Sequence, residues 1–226
     1  METLNDVMDY ADYFFGKDEP PVFHHEHFDL QKKKFVPVDD FSLCSKLNLN
    51  SKEDVILHYF VRDTCQNRLL HNNLADKTLH NSVYAVTSPD FSADQQNCFS
   101  CLNEANILKS RICAYRWQSE LDERVLLTWL WSGPNTYKWA FGNVEKGTPG
   151  VVSSQGVIDW ETFEDGIKTG IEMIHPEFLC WYGKIPEFIN KYYDLNKIVH
   201  MQTRTELLKE LKHKNQSCMV MQDTLF

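Results

Sequence analysis

The sequence predicts an α/β fold in which repeated βα units build a mainly parallel sheet. Short apolar runs alternate along the chain with longer amphipathic segments, and most of the runs lack a clean apolar–polar alternation, as strands buried on both faces do. A strand followed by a helix, repeated, requires right-handed crossovers and parallel strands. Seven such runs come close to the eight strands of a closed barrel. We therefore expect an incomplete (β/α) barrel, with an open doubly wound sheet as the alternative.

The strands are predicted from runs rich in valine, isoleucine and aromatic residues. They are segments 35–38, 55–60, 83–87, 125–130, 150–153, 178–182 and 198–201. The amphipathic segments between them include 95–116, 163–174, 186–193 and 205–214. In the last of these, Leu207, Leu208 and Leu211 recur at helical spacing, and Thr203 or Thr205 is a suitable N-cap.

The domain organisation follows from length and composition. A chain of 226 residues, 42% of them hydrophobic, is sufficient for one large domain with a sizeable core. Residues 1–34 form a polar and aromatic lead-in, with a short helix predicted over 4–10 and a stop at Pro20 and Pro21. We expect a lead-in segment over 1–34 and a single α/β domain over 35–226.

Charge and cysteine content restrict the setting of the protein. The net charge of −9 disfavours non-specific binding of nucleic acid by the whole surface, although a local site remains open. Seven cysteines, an odd number, favour reduced thiols in a cytoplasm. The acidic N-terminal segment does not resemble a signal peptide, and no apolar run approaches the roughly 18–20 residues that span a bilayer. The expected location is the cytoplasm.

The candidate site is predicted at the carboxyl ends of the strands, because parallel α/β folds bind ligands there. Asp90 follows the third apolar run, after a proline and between Ser88 and Ser92. A carboxylate at this position can act as a base, a nucleophile or a hydrogen-bond acceptor, or it can cap the following helix. Asp63 follows the second run and has the same two interpretations. We predict Asp90 and Asp63 as catalytic residues.

Further polar and aromatic residues follow the other runs and suit a polar ligand with a flat part. Ser88 and Ser92 flank Asp90, Arg116 and Gln118 end the long segment after it, and the rest follow later runs. The predicted ligand-binding residues are Ser88, Ser92, Arg116, Gln118, Trp131, Ser153, Gln155 and Tyr182. An arginine can bind phosphate bidentately, and an aromatic ring can stack on a base, but helix termini and cores use the same residue types.

Several motifs carry no site prediction. Cys98 and Cys101 form a lone pair without the second pair that zinc needs, and the close histidines His24, His25 and His27 do not supply a full ligand set. No metal site is predicted. The glycine patterns of phosphate- and dinucleotide-binding loops are absent, so no cofactor is assigned. His58 lies inside a predicted strand, where a hydrogen-bonded core histidine is the expected interpretation.

The segments that carry these candidates, taken together, resemble a family found mainly in phages and prophages, catalogued as a domain of unknown function (number four-four-one-seven). The matching segments are 55–63, 87–92, 111–118, 131–156 and 163–183. The resemblance covers roughly 35–202, and its most specific part is the Ser-Pro-Asp-Phe-Ser segment that contains Asp90. It implies a phage setting and a host-cell cytoplasm, and it supplies no activity. The cysteine-rich segment after Asp90 departs from the family pattern.

Two functions from different classes remain open from the sequence. The first is an enzyme acting on a nucleotide or nucleic-acid group, with Asp90 as the principal carboxylate of a strand-end pocket. The second is a non-catalytic phage protein that binds and inhibits a host protein, which the acidity and the departures from the family pattern favour. A DNA-binding accessory is a third interpretation, and the net charge disfavours it.

Overall fold

Seven parallel strands form the centre of the computed structural model, which describes residues 17–62, 66, 81–93 and 100–223. The strands are β1 Lys34–Pro37, β2 Val55–His58, β3 Ala85–Thr87, β4 Val125–Thr128, β5 Gly150–Ser153, β6 Leu179–Tyr182 and β7 Ile198–Met201. Each predicted run overlaps one of these strands, so the predicted α/β fold with a parallel sheet is confirmed. The predicted helix over 4–10 lies outside the described residues, as do Asp63 and Cys98.

The sheet curls into a nearly closed barrel. The strands lie in chain order from β1 to β7, whereas a doubly wound sheet reverses its order at a switch point. Side chains from all seven strands meet in one interior cluster. Its buried strand members are Phe35, Ile56, Ala85, Leu126, Val151, Cys180, Tyr182 and Met201. Successive side chains of a strand point to opposite faces, so this cluster identifies the inward-facing positions of each strand.

The first and last strands do not pair through their backbones in the described part of the chain, and polar side chains bridge the seam between them. Lys34 Nζ donates to Gln202 Oε1 at 2.8 Å and to Glu210 Oε2 at 2.9 Å. Nearer the carboxyl end, Arg204 donates to Asp40 at 2.8 Å. The barrel is therefore incomplete in strand number, and ion pairs link its two edges.

Helices cover the outside of the barrel. In the described residues they are α1 Ser42–Leu47, α2 Ser51–Asp54, α3 Ser100–Glu120, α4 Tyr137–Phe141, α5 Trp160–Ile174 and α6 Arg204–Asp223. The predicted amphipathic segment 186–193 is instead a 3-10 helix over Glu187–Lys191. Helix α5 is capped by Asp159, whose carboxylate accepts from the backbone N–H groups of Glu161 and Thr162, each at 3.1 Å. These bonds satisfy two of the unpaired donors of the first turn.

Two tryptophans and two glycines determine how α5 packs on the sheet. Trp129 and Trp131 follow β4 on its outer face, and a Cβ at Gly170 would lie 2.6 Å from Trp129 Cζ3. A Cβ at Gly166 would overlap the indole of Trp131. The glycines therefore allow the helix to approach close enough for both indoles to be buried.

The described part of the lead-in closes the amino end of the barrel. Phe23 N donates to the Asn143 carbonyl at 2.9 Å, and Phe28 packs against the interior cluster. Arg111, on α3, is fully buried and donates to the carbonyl oxygens of Pro21 at 2.7 Å and Ala140 at 2.9 Å. It thus joins the lead-in to the end of α4. Among the described helices, none combines the length and the apolar character needed to cross a membrane.

Candidate functional site

A pocket of about 410 Å³ lies at the carboxyl ends of β3, β4 and β5. Five of the predicted site residues line it, from the loops after three different strands. These residues are Asp90, Ser92, Trp131, Ser153 and Gln155. The remaining wall is largely apolar and includes Phe91, Trp129, Val157, Ile158 and Phe163. The pocket therefore combines a few polar groups with apolar walls, as small-molecule sites commonly do.

Hydrogen bonds fix the loop that carries Asp90. Gln66 Nε2 donates to the Asp90 carbonyl oxygen at 2.8 Å and to the Val61 carbonyl oxygen at 2.9 Å, which ties the loops after β2 and β3 together. Ser110, on α3, donates to the Pro89 carbonyl oxygen at 2.6 Å. The position of Asp90 at the pocket is thus held by neighbours on both sides of its strand.

The opposite wall comes from the turn after β5. The backbone N–H of Gln155 donates to Ser153 Oγ at 3.2 Å, and Ser154 Oγ donates to the Lys184 carbonyl oxygen at 2.7 Å. Gly156 has φ of +77°, a conformation that glycine adopts without strain. The exposed side chain of Gln155 therefore extends from a turn that is anchored to the next strand.

Trp131 lines the pocket while most of its ring is buried. Its indole stacks on Phe163 with ring centroids 5.2 Å apart, and its Nε1 donates to the Thr162 carbonyl oxygen at 3.2 Å. Only 7% of the residue is exposed. From the sequence, Trp131 could either pack in the core or stack on a ligand. In the structure it packs in the core, and its ring forms a rigid wall of the pocket.

Four predicted ligand-binding residues do not line this pocket, namely Ser88, Arg116, Gln118 and Tyr182. Ser88 is fully buried, and its Oγ accepts from the backbone N–H of Thr128 at 2.8 Å. Arg116 and Gln118 lie at the other end of the barrel, where α3 approaches the start of β4; Gln118 Nε2 donates to Glu26 Oε1 at 2.6 Å and to the His24 carbonyl oxygen at 2.9 Å. Arg116 is predicted as a ligand-binding residue of the Asp90 site, but it lies in the last turns of α3, which ends at the opposite end of the barrel from Asp90. Asp63 lies outside the described residues.

Tyr182 occupies a second environment, inside the mouth of the barrel. Its ring stacks on Phe60 with centroids 4.9 Å apart and planes 7° apart, and it lies 5.1 Å from the ring of His58. Burial raises the pKa of the Tyr182 phenol, and the negative charges of Asp39 and Glu206 raise it further. Tyr182 is therefore a neutral aromatic residue of the mouth.

His58 is a buried titratable residue that lies outside the predicted site. It is fully buried at the end of β2, and burial lowers its pKa to about 3. Within the described residues, neither of its ring nitrogens has a hydrogen-bond partner. The expectation of a hydrogen-bonded core histidine is wrong. A histidine within an otherwise apolar strand was the only available signal.

The pocket carries few charged groups in its described lining, and a lysine lies close to it, with Lys109 Nζ 4.1 Å from the centroid of the Phe91 ring. Asp90 is the one carboxylate in its described lining, which contains no lysine or arginine. No group of three or more histidine, cysteine, aspartate or glutamate side chains is arranged to hold a metal ion in the part of the chain that the structure describes. Of the lead-in histidines, His24 and His25 lie within 3.6 Å and 3.5 Å of Glu145 and Glu177.

Comparison with known proteins gives the relationship. Residues 22–202 match the family described as "Domain of unknown function (DUF4417)". The chain belongs to the DUF4417 family. This DUF4417 protein is 29% identical over 170 residues to the Gene 1 protein of Mycobacterium phage L5, covering 70% of each chain. It is 30% identical over 110 residues to the Gene 1 protein of Mycobacterium phage D29, covering 46% of this chain and 39% of that one.

The predicted family is thus confirmed, and the chain is related to phage proteins. No solved structure gave a significant match. The names of the two phage proteins state no activity. The cytoplasmic location stays a prediction.

Proposed function

We propose that this DUF4417 domain binds the nucleoside part of a nucleotide or nucleic acid in the pocket at β3–β5 and acts on it through Asp90. The observation that carries the proposal is the convergence of five polar or aromatic candidates, predicted independently from three strand ends, on one pocket of about 410 Å³. That volume is within the range of roughly 300–1,000 Å³ common for small-molecule sites.

The chemistry of the lining supports a nucleoside more than a phosphate. The pocket offers Asp90 as an acceptor, Gln155 as both donor and acceptor, and a wall that includes Trp131. Sugar hydroxyls and exocyclic amines donate hydrogen bonds to a carboxylate. A phosphate is usually bound by lysine or arginine, and the described lining contains neither, although Lys109 Nζ lies 4.1 Å from the centroid of the lining residue Phe91.

The proposed reaction is hydrolysis at the glycosidic bond or at the base. In glycosidic hydrolysis, Asp90 takes a proton from a water molecule whose oxygen bonds to the anomeric carbon, and the bond from that carbon to the base breaks. The departing base keeps the bonding electrons and takes up a proton from solvent. One positioned carboxylate typically contributes about 10²–10⁴-fold to such a step.

The test is a thermal-shift series with nucleosides, nucleotides and short oligonucleotides, on the wild type, Asp90→Asn and Glu53→Gln. Glu53 is exposed on α2, next to the start of β2, so its variant removes one charge far from the pocket. Ligand at about 100 times its Kd stabilises the fold by about 2.7 kcal/mol, which raises the Tm of a domain of this size by roughly 5–10 °C.

We expect a nucleoside to raise the Tm of the wild type and of Glu53→Gln, and to have little effect on Asp90→Asn. A shift that persists in Asp90→Asn would place the ligand elsewhere. The absence of any shift across the series would contradict the proposed function.

A second candidate function is binding to a host protein, and exposed apolar residues beside the pocket favour it. Ile158 is 71% exposed and Trp160 is 45% exposed, both at the start of α5. Exposed large apolar side chains next to one another often mark an interaction surface. Together with the net charge of −9, they fit a basic partner with an apolar centre.

Pull-down from host lysate separates the two candidates when it is repeated with Ile158→Asp and Asp90→Asn. A stoichiometric partner that is lost with Ile158→Asp and retained with Asp90→Asn supports protein binding. A partner that is retained by both variants does not involve this surface.

A further inference from the structure

The mouth of the barrel contains a buried histidine that has no hydrogen-bond partner among the residues that the structure describes. His58 is fully buried, and both Nδ1 and Nε2 lack a partner in the described part of the chain. Buried polar groups are nearly always hydrogen-bonded, because an unpaired one loses its hydrogen bonds to water without gaining others. A donor or acceptor that the protein itself does not provide would make up this loss.

The position of His58 is the one at which a ligand would bind. Strand alternation places one inward-facing residue at the carboxyl end of each of five consecutive strands, and all five are polar. They are His58, Thr87, Thr128, Ser153 and Tyr182. Thr87 Oγ1 accepts from the backbone N–H of Tyr59 at 3.1 Å, and Thr128 Oγ1 donates to the Ser88 carbonyl oxygen at 2.6 Å. His58 differs from both threonines because its polar atoms have no such bond.

A stacked pair of aromatic rings lies beside His58. Phe60 and Tyr182 are stacked with centroids 4.9 Å apart, and the ring of His58 lies 5.8 Å from Phe60 and 5.1 Å from Tyr182. Phe60 is only half-buried and follows the end of β2, whereas Tyr182 is 7% exposed and belongs to β6. Phe60 is therefore the member of the pair that can leave without disrupting a strand.

We propose that the barrel mouth is a second binding site, which takes a nucleobase in place of the Phe60 ring. The base stacks on Tyr182 and hydrogen-bonds through its edge to His58. This site differs from the pocket at Asp90, and it does not depend on the function proposed for that pocket.

The electrostatics of the mouth identify the class of ligand. His58 is neutral at physiological pH, because its pKa is lowered to about 3 by burial, so it offers one donor and one acceptor but no charge. Arg204 lies 2.8 Å from Asp40 and 3.8 Å from Asp39, and the charge of Glu206 also reaches Tyr182. The carboxylates of Asp39, Asp40 and Glu206 disfavour an anionic ligand at the mouth. The class of ligand that fits is a neutral planar heterocycle with polar edges.

The experiment uses adenine and toluene as probes, measured by calorimetric titration. Toluene has a ring without hydrogen-bonding groups, so it reports on space alone, whereas adenine also reports on His58. The proteins are the wild type, Phe60→Ala, and Phe60→Ala with His58→Phe, each with and without Asp90→Asn. Removal of the Phe60 ring leaves a space that an aromatic ring can fill.

We expect Phe60→Ala to bind adenine about tenfold or more tightly than the wild type, because the ligand no longer competes with the side chain. The addition of His58→Phe should weaken adenine binding about tenfold, the factor that corresponds to one lost hydrogen bond. Toluene binding should not depend on whether residue 58 can form hydrogen bonds. Because the pocket at Asp90 is itself proposed to take a nucleoside, Asp90→Asn removes that contribution, and the weaker adenine binding caused by His58→Phe should be the same in the Asp90→Asn background, which separates this site from the pocket.

Equal binding of adenine in the presence and absence of the His58 side chain would overturn the proposal, and so would an effect of Phe60→Ala on adenine binding that disappears when Asp90 is replaced. If Phe60→Ala does not fold, the wild type is tested by following the ¹⁵N resonances of the His58 ring by NMR at saturating adenine. A change in these resonances supports the site, and their constancy, as expected for a histidine that pairs only with buried water, overturns it.

Discussion

His58 and Tyr182 face each other inside the barrel, with ring centroids 5.1 Å apart and planes inclined by 45°. Burial lowers the pKa of His58 to about 3 and raises the pKa of Tyr182. Desolvation disfavours the charged form of each, the cation of the histidine and the anion of the tyrosine. The mouth of the barrel therefore holds two titratable side chains that are both neutral across the physiological range.

The buried His58 is expected to make stability fall as the pH decreases. An unfolded histidine has a pKa of about 6.5, so below that pH the unfolded state binds a proton that the folded state excludes until about pH 3. This group alone lowers the free energy of unfolding by about 2 kcal/mol between pH 7 and pH 5. Urea unfolding of His58→Phe should show a pH dependence smaller by that amount.

The control for this measurement is His175→Asn, which removes one exposed histidine at the end of α5. His175 has φ of +50°, a conformation that asparagine tolerates. An equal change of pH dependence in both variants would show that the effect comes from the loss of a titratable ring in general. Only a change specific to His58 supports its exclusion from water.

Glycine at position 166 is expected to be essential for the packing of Trp131. Replacing glycine by alanine within a helix normally stabilises it by about 1 kcal/mol. Here the added Cβ would overlap the indole of Trp131, and overpacking of this kind costs about 1–3 kcal/mol. Gly166→Ala should therefore lower the free energy of unfolding in a urea titration.

A double-mutant cycle checks the cause. Trp131→Leu removes the indole and is itself destabilising, because the ring stacks on Phe163. In the Trp131→Leu background, Gly166→Ala should cost less than it does in the wild type. Additive effects would mean that the cost of the added methyl group arises elsewhere.

The sheet could be predicted from the sequence because its signal is local. Runs without alternation indicate strands buried on both faces, and β5 and β7 coincide with their predicted segments. The short helices α1, α2 and α4 escaped prediction, since four to six residues are too few to show helical periodicity. The choice between barrel and open sheet depends on which strands pair. The sequence of one strand does not specify which strands lie next to it.

The site residues that directly follow strands could be predicted from the sequence. Those whose position depends on the length of a helix, or on which side chains surround them, could not. Asp90, Ser153 and Gln155 follow their strands directly, so the general rule for parallel sheets brings them together. Arg116 was assigned to the same edge, but the helix that carries it extends to the opposite one. The isolation of His58 depends on neighbours from other strands, which sequence spacing does not specify.

The polar seam between β1 and β7 is expected to make a small and local contribution to stability. Lys34 pairs with Glu210 at 2.9 Å, and both side chains are about a quarter exposed. Partial exposure limits such a pair to about 1 kcal/mol or less. Lys34→Met should therefore change global unfolding little, while amide hydrogen exchange in β1 and β7 becomes faster.

The matched control for the seam is Lys191→Met, which removes a more exposed lysine paired with Glu164 at 3.2 Å on the outer surface. It should leave exchange in β1 and β7 unchanged. Unaltered exchange in Lys34→Met would show that the two edge strands hold their positions without this pair.

Arg111 is expected to be the most important single charge for the stability of the described fold. Its guanidinium is fully buried and donates to four carbonyl oxygens, those of Pro21, Trp139, Ala140 and Gly142, at 2.7–3.3 Å. Burial lowers the pKa of Arg111 to about 9, yet the group stays charged at neutral pH. Arg111→Met leaves these buried acceptors unpaired, at about 1–3 kcal/mol each where water does not reach them.

Arg111→Met should lower the free energy of unfolding by more than about 3 kcal/mol in a urea titration. The control Lys168→Met, which removes an exposed helix cation, should change it by less than about 1 kcal/mol. Lys168 lies 4.0 Å from Glu172 with about half of its side chain exposed, so it matches the change of chemistry without the burial. Limited proteolysis adds a local test, because Arg111 is one of the groups that bind the lead-in, at Pro21, to the end of α4. Cleavage within 17–30 should accelerate in Arg111→Met before the barrel unfolds, and equal cleavage in both variants would mean that Phe23 and Phe28 hold the lead-in without it.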